Sequence, residues 1–250
     1  KRLIPLLQSE DSPYNRFLMI VPGFGSDNSF LIIALLNHWK NRDINSQIIM
    51  RKAIPYGRQN ITQEDIDTVI ETLKSDYLTQ GPKIKEFEAE FAKYCGAQHA
   101  IAVNSCTSGL FFSLLTLNLK QDDEVITTPF TFAATANIIK HAGAKLIFAD
   151  IDPKTLNIDP KSVEQKISAR TRACIVVHYG GQIADMDSFR QLGKQYNIVI
   201  IEDAAHALGA QFNGKCAGTF GHTGCFSFYP TKVITSGEGG MLITDDDRIA

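Results

Sequence analysis

Long apolar runs are missing from this sequence. The longest, Phe30 to Leu36, has seven residues, whereas a helix that crosses a bilayer needs about 20. The opening stretch KRLIPLLQSEDSPYNR turns polar too early for the apolar core of a secretory signal. Charge of one sign is missing too. Lys and Arg number 25 against 27 Asp and Glu, a net charge of -2, which gives no overall field to draw nucleic acid or an anionic membrane. Neither partner is expected. Cysteine is sparse: Cys95, Cys106, Cys174, Cys216 and Cys225 are odd in number and form no C-x-x-C pair. That pattern predicts reduced thiols in a cytoplasmic protein, not a disulfide scaffold or a zinc site. Repeats and low-complexity tracts are absent. What remains is the composition of an ordinary globular chain, 44% hydrophobic and 21% charged over 250 residues, enough for one large domain or two modest ones.

Residues 1–49 read differently from the rest. RFLMIVPGFGSDNSFLIIALLNHWKNRD suggests a strand, a glycine turn and a helix from about Ser29 to Lys40. One β-α unit without a closing strand cannot make a core by itself. This stretch is expected to be an extra segment, either a piece of another α/β domain or sequence upstream of a start at Met50. Because the chain opens without methionine and stops at Ala250 just past an apparent strand, a fragment is expected.

From Thr62 the pattern becomes regular. Ile66, Val69, Ile70 and Leu73 share one helical face, and Thr62 and Asp65 have capping spacing. Ile84, Phe87, Phe91 and Tyr94 repeat the pattern until Gly96 stops it. Then HAIAV, EVITT, AKLIFAD, ACIVV and NIVIIED read as strands, most of them separated by helices over Gly109–Leu119, Ala133–His141, Pro160–Ile167 and Asp185–Tyr196. Apolar strands alternating with helices predict an α/β fold, a mainly parallel sheet covered on both faces. Ligands of such sheets sit beyond the carboxyl ends of the strands, where the chain reads NSCTSG, TPFTF, HYGGQ and EDAAH.

NSCTSG, Asn104 to Gly109, offers free N–H groups and the hydroxyls of Thr107 and Ser108 to a phosphate. It lacks the P-loop lysine and the G-x-G-x-x-G spacing, and a capped helix explains the same residues. Asp203 ends a strand buried on both faces, and a carboxylate there needs a partner. A protonated pyridine nitrogen would serve, as would an N-cap or a salt bridge. His206, three residues on, is a candidate for the same cleft or a packed histidine. Phe132 is either a cover for a flat ring or a core aromatic. Ser227 is within reach of a phosphate. In CFSFYPTKVITSGEGGMLIT a lone lysine, Lys232, stands between an aromatic strand and a glycine loop. A lysine held among apolar groups has its ammonium form disfavoured and becomes a nucleophile for carbonyls; most lysines are simply solvated. Together, a phosphate cradle, a ring cover, a buried acid and an amine are the parts of a pyridoxal phosphate site.

LTQGP, NSCTSGL, TTPFTFAATAN, VVHYGGQIADMD, IEDAAHALGA and FSFYPTKVITSGEGGMLIT occur in this order from about Ile54 to the end. In that order they resemble the DegT family of pyridoxal-phosphate-dependent nucleotide-sugar aminotransferases. The start IPYGRQNITQEDIDTVIETLKSDYLTQGP is most similar to the branch that aminates UDP-4-keto-6-deoxy-N-acetylhexosamines on the route to pseudaminic acid. The resemblance implies an aspartate-aminotransferase-like fold (PLP fold type I), with 50–250 as the cofactor-binding large domain and a small C-terminal domain beyond Ala250. It implies pyridoxal 5'-phosphate as cofactor, glutamate as amino donor, a nucleotide sugar as acceptor and a homodimer that shares its active sites.

The resemblance also implies roles. Lys232 would carry the cofactor on its amine and move the proton. Asp203 would pair with the pyridine nitrogen and Phe132 would stack on the ring. Thr107, Ser108 and Ser227 would bind phosphate, and His206 would lie near the ring's phenolic oxygen. No metal is implied. Family dehydratases carry histidine in place of the lysine, and Lys232 argues against that branch. Aminotransferases of other dTDP- or GDP-linked keto sugars, and a regulator that binds the cofactor without turnover, remain alternatives.

Overall fold

The structure, a computed structural model, describes residues 59–250. The segment 1–49, with its expected β-α unit, lies outside the described residues, as does most of IPYGRQ.

Helix α1 (Gln63–Lys74) begins where the sequence places it. Thr62 Oγ1 accepts from the Asp65 N–H while the Asp65 carboxylate accepts from the Thr62 N–H, a complete capping box. Such caps contribute about 1 kcal/mol. The apolar stripe of α1 is present, but none of its residues is buried. Helix α2 (Pro82–Cys95) starts on a proline, whose missing N–H costs nothing there. It ends at Gly96, which takes the left-handed conformation at φ 75°, one that a Cβ would disfavour.

Seven strands then form one sheet: β1 (His99–Val103), β2 (Glu124–Thr127), β3 (Lys145–Phe148), β4 (Thr171–Val177), β5 (Val199–Asp203), β8 (Thr223–Ser227) and β9 (Gly240–Thr244). Their order is β1-β9-β8-β5-β4-β2-β3. The pairs from β8 through β5, β4 and β2 to β3 are all parallel, and β9 alone runs against its neighbours β8 and β1. The mainly parallel α/β fold expected from the apolar runs is therefore present. A short hairpin of β6 (Gln211–Phe212) and β7 (Lys215–Cys216) stands apart from the sheet.

The alternation within the strands divides the core. On one face Ala173, Ile175 and Ile201 meet Leu110 and Leu114 of α3 (Cys106–Leu115) and Ile138 and Ile139 of α4 (Ala133–His141). On the other, Cys174, Val176 and Ile200 meet Val163 of α5 (Pro160–Glu164) and Phe189 and Leu192 of α6 (Met186–Tyr196). A third cluster packs Phe91 and Cys95 of α2 on Phe226, Phe228 and Met241. All five cysteines are free and buried, in keeping with the reduced thiols expected.

In two helices the bounds differ from expectation by three residues or more. Helix α3 begins at Cys106, three residues before the expected Gly109, because Ser105 caps it by accepting from the Ser108 N–H. It stops at Leu115, short of Leu119, and α5 stops at Glu164, short of Ile167. In both cases the chain leaves the helix through 3₁₀-type contacts, Leu117 N–H to Leu114 and Ile167 N–H to Glu164.

The antiparallel β9 matters most for function. Gly240, its first residue, pairs with Val103 at the end of β1 and with Ser227 at the end of β8. The loop 228–239 between β8 and β9 is thereby held at the carboxyl edge of the parallel strands.

Candidate active site

A cavity of about 700 Å³ opens at that edge, within the usual size of small-molecule sites. Its lining comes from the end of β1 and the start of α3 (Ser105, Cys106, Thr107), the 129–135 turn, the end of β4 (His178, Tyr179), the end of β5 (Asp203, His206) and the β8–β9 loop (Ser227, Lys232). Six of the seven residues singled out by sequence thus meet in one place. The seventh, Ser108, is outside the lining. Its hydroxyl donates to Asn104 Oδ1, and its N–H is used by the Ser105 cap. Ser105 and Thr107 take the cavity side of the helix start instead.

Lys232 is fixed by its loop. Phe228, 2% exposed, is wedged against Phe87 and Phe91 at centroid distances of 5.4 and 5.6 Å. Its carbonyl accepts from the Ser236 N–H and from Thr235 Oγ1, while its N–H donates to the Gly239 carbonyl at 2.9 Å. The aromatic strand before the lysine is therefore an anchor, and the segment 229–238 projects from it as a closed loop. The apolar surround expected for Lys232 is only partial: Lys232 is half-buried, and Val233 and Ile234 beside it are exposed.

Asp203 is 6% exposed. Its Oδ2 accepts from Thr135 Oγ1 at 2.8 Å, and its Oδ1 accepts from the Ala205 N–H at 3.2 Å and faces the Cys106 thiol at 3.9 Å. None of these partners is cationic. Among the described residues Asp203 has neither an N-cap role nor a salt bridge, the two alternatives open from sequence. Burial, then the Asp203 carboxylate, holds the Cys106 thiol well above its ordinary range, so it stays an S–H group. Phe132, the N-cap residue of α4, is 79% exposed on the cavity rim, which removes the core-aromatic reading. His206 sits at the mouth with its ring 6.5 Å from that of Tyr179. Partial burial, then the Lys232 ammonium, lowers its basicity from the ordinary 6.5, while Asp203 acts in the opposite sense.

Close approach closes the side of the cavity at the start of α3. A Cβ on Gly240 would overlap the Ser105 carbonyl carbon and the Cys106 nitrogen, so only glycine lets β9 lie against the start of α3.

Sequence reasoning missed three groups. Glu202, fully buried behind Asp203, accepts from His178 Nε2 at 2.8 Å and from the N–H groups of Gly218, Phe220 and Gly221. Like Asp203, Glu202 is a carboxylate in a doubly covered strand, so its signal is present in the sequence. His178 and Thr135 carried none, since their partners are 24 and 68 residues away.

The comparisons with known proteins agree with this geometry. Residues 59–250 match the model of the DegT/DnrJ/EryC1/StrS aminotransferase family. The uncharacterised protein MJ1066 of Methanocaldococcus jannaschii is 52% identical over 203 residues, 81% of this chain and 53% of that protein. The spore coat polysaccharide biosynthesis protein SpsC of Bacillus subtilis is 48% identical over 79% of this chain and 51% of its own length. Among solved structures, Helicobacter pylori PseC, an aminotransferase involved in the biosynthesis of pseudoaminic acid, superposes with a TM-score of 0.76 at 35% identity. That match covers 78% of this chain and 53% of that one. The chain spans about half the length of the curated relatives it matches.

Proposed function

The chain belongs to the DegT/DnrJ/EryC1/StrS aminotransferase family, and on that premise we propose that the whole protein is a pyridoxal-phosphate-dependent aminotransferase of nucleotide-linked keto sugars. The observation that carries this reading is the meeting of Lys232 and Asp203 on one cavity. The residues fit the cofactor. Asp203 is a buried carboxylate without a cationic partner among the described residues, which suits a protonated ring nitrogen. The capped start of α3 presents free N–H groups and Thr107 to a phosphate.

Bound there, pyridoxal phosphate supplies an aldehyde that exchanges amines and a ring that takes up the electron pair left by a departing proton. The chain does the rest. Lys232 holds the cofactor through Nζ. Its free amine would take the α-proton of the amino donor and deliver a proton to the sugar carbon that gains nitrogen. Asp203 keeps a proton on the ring nitrogen. Thr107, Ser227 and the start of α3 hold the phosphate, with Ser108 supporting that turn. Phe132 covers the ring, and His206 is assigned to the phenolic oxygen.

We further assign glutamate as donor and a UDP-linked 4-keto-6-deoxy-N-acetylhexosamine as acceptor, in a cytoplasmic homodimer. The 35% likeness to PseC and the LTQGP segment support that branch. A site built to pair with one base and an N-acetyl group rejects analogues that leave buried polar atoms unpaired. The test is kcat/KM of the full-length protein for UDP- and dTDP-linked keto sugars with glutamate. A dTDP preference would move the protein to another branch. Cofactor binding without any exchange with glutamate would make it a regulator.

A further inference from the structure

Threonines inside helices usually turn their hydroxyls back to the carbonyl four residues earlier. Thr68 and Thr72 of α1 do so, donating to Glu64 and Thr68 at 2.9 Å, and Ser113 of α3 does the same to Gly109. Thr135 of α4 does not. It is 1% exposed, and its Oγ1 reaches out of the helix to Asp203 Oδ2 at 2.8 Å and to Thr131 Oγ1 at 2.9 Å.

The donor inventory gives this chain a direction. A carboxylate oxygen accepts, so the single hydroxyl hydrogen of Thr135 goes to Asp203. The Thr135 oxygen must then accept the hydrogen of Thr131. Asp203 Oδ1 is meanwhile held by the Ala205 N–H and by the Cys106 thiol, which burial keeps as S–H. Three elements, α4, the turn after β5 and α3, thus grip the two oxygens and stop the carboxylate from rotating. Oδ2, which accepts from Thr135 alone, keeps a second acceptor position, and Asp203 lines the cavity together with Thr131, Thr135 and Cys106.

We propose that Thr135, supported by Thr131, is a positioning residue that aims the Asp203 carboxylate at the ring nitrogen of the bound cofactor. The proposal rests on the function assigned above. The hydroxyl pair is assigned no contact with substrate or cofactor. It acts through Asp203 alone, and its loss is felt in the proton-dependent steps more than in binding.

The experiment uses the full-length protein with pyridoxal phosphate and compares Thr135→Val, which keeps the shape and removes the hydroxyl, with Thr135→Ser, which keeps the hydroxyl. Losing one buried hydrogen bond to a charged group is expected to lower kcat by about tenfold or more, with KM for both substrates changed by less than about threefold. The pH dependence of the cofactor's visible absorption should shift in Thr135→Val and return in Thr135→Ser. In an Asp203→Asn background, Thr135→Val should add little, because the two residues act as one unit. The proposal is overturned if Thr135→Val keeps its rate and spectrum, or if its effect is undiminished in the Asp203→Asn background. Asp203→Asn with wild-type rate and spectrum would overturn the assigned function itself, a separate outcome. Should Thr135→Val not fold, Thr131→Val at the half-buried outer position decides. A shifted absorption profile is expected there, and an unshifted one overturns the proposal.

Discussion

His178 Nε2 lies 2.8 Å from the Glu202 carboxylate, and both side chains are wholly buried. Nδ1 of the same ring accepts from the Ala184 N–H, so the Nε2 hydrogen points at Glu202. Three backbone N–H groups of the 218–221 turn complete the shell. The His178 N–H also donates to the Asp203 carbonyl at 3.1 Å. The pair therefore ties the ends of β4 and β5 together directly behind the cavity. Glu202→Ala would leave these donors buried and unpartnered. We expect it to cost about 3–5 kcal/mol of stability, read from the urea midpoint of the full-length protein. A loss below about 1 kcal/mol would show that the shell is not what holds the strand ends.

Gly240→Ala is expected to weaken cofactor binding more than it weakens folding. The added methyl would collide with the backbone at Ser105 and Cys106, and the start of α3 would have to move. A loss of one or two phosphate hydrogen bonds corresponds to about 10- to 100-fold in affinity for pyridoxal phosphate. Equilibrium titration of the apoprotein checks this, and unchanged affinity would place the phosphate elsewhere.

Asp203→Asn should reduce kcat by about 10²-fold or more while leaving the phosphate anchor intact. A neutral amide does not hold a proton on the ring nitrogen. Cofactor affinity should change far less than kcat, and the two are measured on the same preparation.

His206 contributes a pH dependence of known sign. Its folded value lies below the unfolded 6.5, because burial and Lys232 disfavour the imidazolium. Its contribution to stability is therefore complete above the unfolded value and is lost as pH falls through the lower folded one. Unfolding curves of His206→Gln and wild type should converge at neutral pH and differ on the acid side, where the wild type loses stability more steeply. Parallel curves throughout would contradict this.

Much of this fold is legible because its signals are local. HAIAV, EVITT and NIVIIED are apolar runs bounded by turns, and each forms a strand. The Thr62 and Asp65 spacing gives a capping box that is present. The strand order is not local. β1 pairs with β9 far along the chain, Val103 with Gly240 and His99 with Thr244, so its place at the sheet edge follows from pairings no window of sequence contains. The site divides in the same way. Lys232 and Asp203 are readable because their neighbours mark an anchor strand and a doubly covered strand. Ser108 lies outside the cavity lining, its hydroxyl turned to Asn104 and its N–H to the Ser105 cap, a bonding pattern the motif NSCTSG does not specify. The grip of Thr135 on Asp203 spans 68 residues and exists only once α4 and β5 pack together.

The most direct measurement is to reduce the full-length protein, loaded with pyridoxal phosphate, with borohydride and to map the modified peptide. Lys232 stands on a loop anchored at Phe228 and facing the same cavity as Asp203. The label is therefore expected on the peptide that contains Lys232. Lys232→Arg should keep its fold, lose the label and lose at least about 10²-fold in amino transfer. A label on any other lysine, or amino transfer undiminished in Lys232→Arg, would contradict the account.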